Sequence, residues 1–231
     1  MDGARKPVLC YVTDRRSLAG KTNEHPESVS GLSGVVSRAI AAGVDWIHVR
    51  EKDLPGAALL ETVCDAVERA AGRTRVIVND RLDVAVAAGA GGVHLGEKSL
   101  PAEGVVRWLG PPTGSAGAAE NTARAPRDFL VGVSCHSLEA ALAAERAGAN
   151  YVFFGPVFET PSKATFGPPQ GLESLAEVCA RVRIPVLAIG GVTLDNASSC
   201  LAAGAAGIAA IRLFQEAKDL RALMRSLRQL P

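Results

Sequence analysis

A closed (β/α)8 barrel is the fold class this sequence predicts, and three observations predict it. The first is a four-fold internal repeat in which an Ala-Gly pair precedes an apolar run: Ala-Gly-Val-Asp-Trp-Ile-His-Val from Ala42, Ala-Gly-Ala-Gly-Gly-Val-His-Leu from Ala88, Ala-Gly-Ala-Asn-Tyr-Val-Phe-Phe from Ala147 and Ala-Gly-Ala-Ala-Gly-Ile-Ala-Ala from Ala203. Each unit reads as a helix end, with a glycine where the chain must turn left-handed, followed by a buried strand. The second is that four further strand candidates, over 8–13, 75–79, 129–134 and 184–189, lie between these units. The third is that the gaps are helical in character, over 26–42, 57–71, 137–147, 196–203 and 218–230. Eight strands alternating with helices in 231 residues indicate a parallel sheet closed into a single-domain (β/α)8 TIM barrel spanning residues 1–231. An open doubly wound sheet is disfavoured, because no Gly-x-Gly-x-x-Gly turn follows the first strand.

In chain order, Ser137-Leu-Glu-Ala and Thr193-Leu-Asp-Asn supply the side-chain oxygens that cap helix starts. The strand at Tyr151 ends at Gly155-Pro156, where proline removes a ladder donor. The Gly-, Pro-, Ala- and Ser-rich run over 110–126 reads as a flexible insertion ahead of the fifth strand.

Composition narrows the function classes. A net charge of +1 with few aromatics argues against a nucleic-acid partner. No apolar run is long enough to cross a membrane and the first residues lack a signal-peptide core, so a cytoplasmic protein with no membrane partner is expected. The five widely spaced cysteines fit neither a disulfide framework nor a zinc ribbon. Assembly as a homo-oligomer is left open.

In a barrel of this kind functional groups gather at the C-terminal strand ends. Strand alternation puts Trp46, His48 and Arg50 on one face with Lys52 beyond, Ile77 and Asn79 inward with Asp80 following, and His94 at the end of the fourth strand. Gly132, Ser134 and His136 share the inward side of the fifth, which turns Cys135 outward and demotes it as a nucleophile. After the sixth strand, Thr160 and Ser162 beside Lys163 suit a phosphate, as do the bare amides of Gly190 and Gly191 after the seventh.

The motifs Tyr11-Val-Thr-Asp, His48-Val-Arg-Glu-Lys-Asp, Val78-Asn-Asp-Arg, Gly92-Val-His-Leu-Gly, Val133-Ser-Cys-His-Ser-Leu-Glu, Phe154-Gly-Pro-Val-Phe-Glu-Thr-Pro-Ser-Lys and Ala188-Ile-Gly-Gly-Val span the chain. In them the sequence resembles the thiamine phosphate synthase and TenI family. That resemblance implies a barrel that binds a thiazole phosphate. In the synthase branch, an aminopyrimidine diphosphate ionises with magnesium-assisted loss of diphosphate, and the thiazole nitrogen captures the carbocation. In the TenI branch a carboxythiazole phosphate tautomer is aromatised by proton transfer, with no metal.

The resemblance assigns Arg50, Lys52, Asn79 and Lys163 to diphosphate and pyrimidine contacts, Asp80 to magnesium, and Ser134 to a place near the pyrimidine. It assigns Thr160, Ser162, Gly190 and Gly191 to the thiazole phosphate. Three positions depart from the synthase pattern. His48 replaces a glutamine, Ser99 replaces the second magnesium aspartate, and Arg212 replaces a serine near the phosphate. A magnesium diphosphate needs charge compensation from oxygen ligands, for which Glu97 is a substitute at a different register. The expectation is therefore a thiazole tautomerase in which His136 moves the proton, Arg50 holds the substrate carboxylate and no cofactor is needed. The alternatives are a magnesium-dependent thiamine phosphate synthase and a non-catalytic sensor of thiamine intermediates. A zinc hydrolase using His48, His94 and His136 is more distant, since no spacing predicts that these imidazoles converge.

Overall fold

The computed structural model describes residues 6–18, 29–110, 125–126, 128–160 and 168–230. Its strands are β1 (Val8–Val12), β2 (Trp46–Val49), β3 (Arg75–Asn79), β4 (Gly92–Leu95), β5 (Leu130–Cys135), β6 (Tyr151–Phe154), β7 (Val186–Ile189) and β8 (Gly207–Ala210). Each pairs in parallel with the next and β8 pairs back to β1, closing the predicted barrel. Around it run α1 (Val29–Ala42), α2 (Gly56–Ala70), α3 (Leu82–Ala87), α4 (Ala102–Leu109), α5 (Leu138–Arg146), α6 (Gly171–Arg181), α7 (Leu194–Ala202), α8 (Arg212–Gln215) and α9 (Leu220–Arg228). Most of the 110–126 insertion lies outside the described residues. No helix among those described is long and apolar enough to cross a membrane.

The repeat has a physical cause. Gly43, Gly89, Gly148 and Gly204 all have positive φ, from 64° to 96°. After each of them, the next residue's N–H reaches back five positions: Val44 to Ala39, Ala90 to Ala85, Ala149 to Ala144 and Ala205 to Cys200. This is the Schellman closure, which satisfies otherwise orphaned helix carbonyls and aims the chain into the next strand. The Ser137 hydroxyl accepts the Ala140 N–H at 3.1 Å as its cap reading requires. At the other expected start, the Thr193 N–H donates to Asn196 Oδ1 at 2.8 Å, and the helix begins at Leu194, two residues earlier than expected.

The seventh strand begins at Val186 and not at 184, because Pro185 has no N–H to offer the ladder; its carbonyl still accepts from Val152 at 3.0 Å. Side chains sort as alternation demands. Ile47, Val49, Val131 and Cys135 join the layer under the helices. Cys10, Val12, Tyr151, Phe153, Leu187 and Ala209 pack inside the barrel. Inward glycines leave room for large rings: a Cβ at Gly132 would run into the Tyr151 phenol. Trp46 packs edge-on against Tyr151 at a centroid distance of 4.7 Å, and the His94 ring lies 4.2 Å from Phe153. The barrel below the mouth is therefore solid, with every cysteine a free thiol.

Candidate functional site

The C-terminal ends of β2, β3 and β4 bring polar groups together. Asp80, just past β3, has φ of 61°, a left-handed conformation that asparagine and aspartate tolerate better than most residues. Its N–H donates to the His94 carbonyl at 2.8 Å, which holds this turn against β4. Asn79 Nδ2 donates to Asp80 Oδ2 at 2.7 Å, and the Gly96 N–H donates to Asp80 Oδ1 at 3.2 Å. The Ser99 hydroxyl also closes on Asp80 Oδ1. The residue expected to break the metal pair thus brings an oxygen to the aspartate. Glu97 does not take that place: its Oε1 lies 3.6 Å from His136 Nε2.

Arg50 and Lys52 follow β2, and neither charged group is hydrogen-bonded or ion-paired to another described residue. A brace that the sequence reading missed holds the backbone from Arg50 to Asp53. The Thr13 hydroxyl accepts the Arg50 N–H at 2.9 Å and donates to Glu51 Oε1 at 2.7 Å. The Arg15 N–H meets both Glu51 oxygens at 3.2 Å, and the Arg15 guanidinium grips Asp53 through two 2.6 Å contacts. Glu51 is only 4% exposed, and burial raises its pKa against the opposing pull of Thr13 and the Arg15 amide. Asp53 is held below the usual carboxylate range by the Arg15 hydrogen bonds. The only signal in the sequence was a charged residue at the outward, buried parity of β2.

The histidines are the second feature. His94 is 1% exposed; its Nδ1 lies 3.1 Å from the Tyr151 hydroxyl and its Nε2 lies 2.9 Å from Ser134 Oγ. Burial pulls its pKa down to about 3, against the opposing field of Asp80. His48 is 2% exposed, and neither ring nitrogen has a hydrogen-bond partner. Burial, then the neighbouring His94 and the Arg50 charge, hold it well below the usual histidine range. His136 is half-buried, with Nδ1 against the Gly155 carbonyl. The zinc alternative fails on this geometry: no cluster of three His, Cys, Asp or Glu suited to a metal occurs among the described residues. Cys135 is no nucleophile, since burial pushes its thiol up to about 12.

On the far side of the mouth, Gly190 and Gly191 have φ of 94° and 67°. Neither N–H donates to another described residue. Arg212, at the start of α8, reaches the Thr160 hydroxyl at 3.3 Å, so the departure at this position places a cation at the expected phosphate pocket. Ser162 and Lys163 lie outside the described residues. A Cβ on Gly191 would stand 2.5 Å from the Glu159 carbonyl oxygen and 2.7 Å from Phe158 Cβ. Gly191→Ala should therefore cost about 2 to 4 kcal/mol, left-handed strain plus overpacking. Urea unfolding measures it, and a cost under ~1 kcal/mol would show that this turn tolerates a side chain.

A sequence model of the family described as thiamine monophosphate synthase matches residues 21–214. The chain belongs to the thiamine monophosphate synthase family. It is 41% identical over 224 residues to the thiamine-phosphate synthase of Methanocella arvoryzae, covering 95% of this chain and 92% of that one. It is 39% identical over 227 residues to the thiamine-phosphate synthase of Roseiflexus sp., covering 95% and 83%. Among solved structures, the thiamine phosphate pyrophosphorylase from Pyrococcus furiosus superposes with a TM-score of 0.76 at 32% identity, covering 98% and 96%. This family member is thus an enzyme of thiamine biosynthesis. The preference for a tautomerase is not supported, since these relatives carry the synthase name.

Proposed function

We propose that this chain is a thiamine-phosphate synthase, joining hydroxymethylpyrimidine diphosphate to a thiazole phosphate with release of diphosphate. The observation that carries the reading is the corner at Asp80, where the Ser99 hydroxyl brings an oxygen beside the carboxylate just past β3, the strand that pairs with the one leading to Arg50 and Lys52. Roughly 40% identity to synthases over nearly the whole chain supports it.

In this reading Arg50 and Lys52, with Lys163, balance the charge of the diphosphate as its bond to the pyrimidine methylene breaks. The amides of Gly190 and Gly191, with Thr160, Ser162 and Arg212, hold the ester phosphate. That anchor places the thiazole nitrogen to form the new carbon–nitrogen bond with its lone pair, so no net proton transfer is required and diphosphate alone departs. Asn79 and Ser134 face the pyrimidine; His136, tied to the Gly155 carbonyl, shapes the wall between the two substrates. His48 forms the buried floor under Arg50.

Magnesium fits this donor set. It accepts one carboxylate plus substrate phosphate oxygens, and Asp80 with Ser99 offers two oxygen donors on one side. When bound there it would neutralise the departing diphosphate.

Incubation with both substrates should release one diphosphate per thiamine phosphate, and none if the thiazole phosphate is left out. Absence of diphosphate release at every magnesium concentration would eliminate the proposal. Ser99→Asp adds a second carboxylate and should lower the magnesium concentration for half-maximal rate by about tenfold. An unchanged half-saturation would place the metal elsewhere.

A further inference from the structure

The synthase reading leaves open why the interior carries a tyrosine and a histidine hydrogen-bonded to each other directly beneath Ser134. The Tyr151 hydroxyl is buried, and among the described residues its hydrogen-bond partner is His94 Nδ1. A buried phenol keeps its proton and must donate it, because an unmade buried hydrogen bond costs on the order of tenfold or more in population. With Nδ1 as acceptor, the neutral His94 ring carries its proton on Nε2. That N–H then donates to Ser134 Oγ at 2.9 Å. The opposite tautomer would leave the phenol proton with no acceptor. Ser134 receives its hydrogen bond from below, donates to no described residue and is half-buried at the mouth, so its own proton is left for a ligand to accept.

We propose that Tyr151 and His94 are positioning residues that lock the Ser134 hydroxyl as a hydrogen-bond donor, so that this position selects a substrate atom bearing a lone pair and no proton: an unprotonated ring nitrogen of the aminopyrimidine. The choice of ligand atom rests on the synthase reading; the direction of the relay does not. A ring that presents N–H at this point must take the second Ser134 lone pair and leaves the hydroxyl proton without an acceptor, so it binds more weakly.

Multiple-bond nitrogen NMR of histidine-labelled protein reads the tautomer without any ligand. His94 should be protonated on Nε2 with a bare Nδ1, and protonation on Nδ1 would overturn the relay. Ser134→Ala should keep that tautomer, because the phenol sets it; a switch in this variant would also overturn it. Tyr151→Phe should lose the preference and populate both tautomers. In turnover, Tyr151→Phe should raise KM for hydroxymethylpyrimidine diphosphate about tenfold while leaving KM for the thiazole phosphate within about twofold. Equal changes in both would mark Tyr151 as structural only. Should Tyr151→Phe not fold, the wild-type and Ser134→Ala tautomers still decide. A correct tautomer in a chain with no synthase turnover would retain the relay and remove the pyrimidine.

Discussion

Asp80→Asn should lower synthase turnover by about 1,000-fold, equivalent to about 4 kcal/mol of lost transition-state stabilisation, while the protein remains folded. The substitution separates charge from shape. Asparagine tolerates the left-handed φ of 61° that this position requires, and its amide can still accept from the Gly96 N–H. What it removes is the one carboxylate in the corner formed with Asn79, Gly96 and Ser99. Binding of the thiazole phosphate should be unaffected, since Gly190, Gly191, Thr160 and Arg212 lie across the mouth. Steady-state diphosphate release, with calorimetry for the thiazole phosphate, tests both halves. Turnover within about tenfold of the parent would remove Asp80 from the chemistry.

Acidification from about pH 7 to about pH 5 should cost roughly 2 kcal/mol of stability for His94, and His48 should add to that cost in the same direction. Both rings are buried and neutral, with folded pKa values depressed: His94 to about 3, His48 well below the ordinary value. Depressed histidines give stability that is fully present above the unfolded pKa near ~6.5 and lost as pH falls below it, because the unfolded chain then binds protons the barrel excludes. Glu51 acts in the opposite sense. Its folded pKa is raised, so its contribution grows on protonation and partly offsets the loss at the acid end. Urea titrations at steps across this range read the slope. His48→Gln, which removes a buried titrating ring lacking hydrogen-bond partners, should make it shallower. A stability independent of pH over this interval would mean that the rings are protonated or solvated in the folded protein.

Ser99 and Glu97 exchange roles between the sequence and the fold. Along the chain, serine in place of a second carboxylate reads as a lost metal ligand, and glutamate two residues earlier reads as its substitute. In the fold, Ser99 turns back onto Asp80 and Glu97 lies against His136. Both arrangements depend on how the segment after β4 curls over the mouth, which residue type alone does not specify. The relatives' shared synthase name then weighs on the side of the diphosphate chemistry.

What this sequence by itself determined is the barrel and its inside-outside pattern. The glycines at 43, 89, 148 and 204 state a left-handed requirement locally, and alternation along each strand needs no distant partner. The inward facing of His48 and Ser134 was legible for that reason. Only the tertiary structure decided which of these groups touch. Tyr151 meets His94 57 positions away, Thr13 meets Glu51 38 away, and Arg212 meets Thr160 52 away. Such pairs are set by the stagger between neighbouring strands and by where the glycines leave space for rings. Hydrogen bonding between side chains fixes protons and charges only once that space is closed.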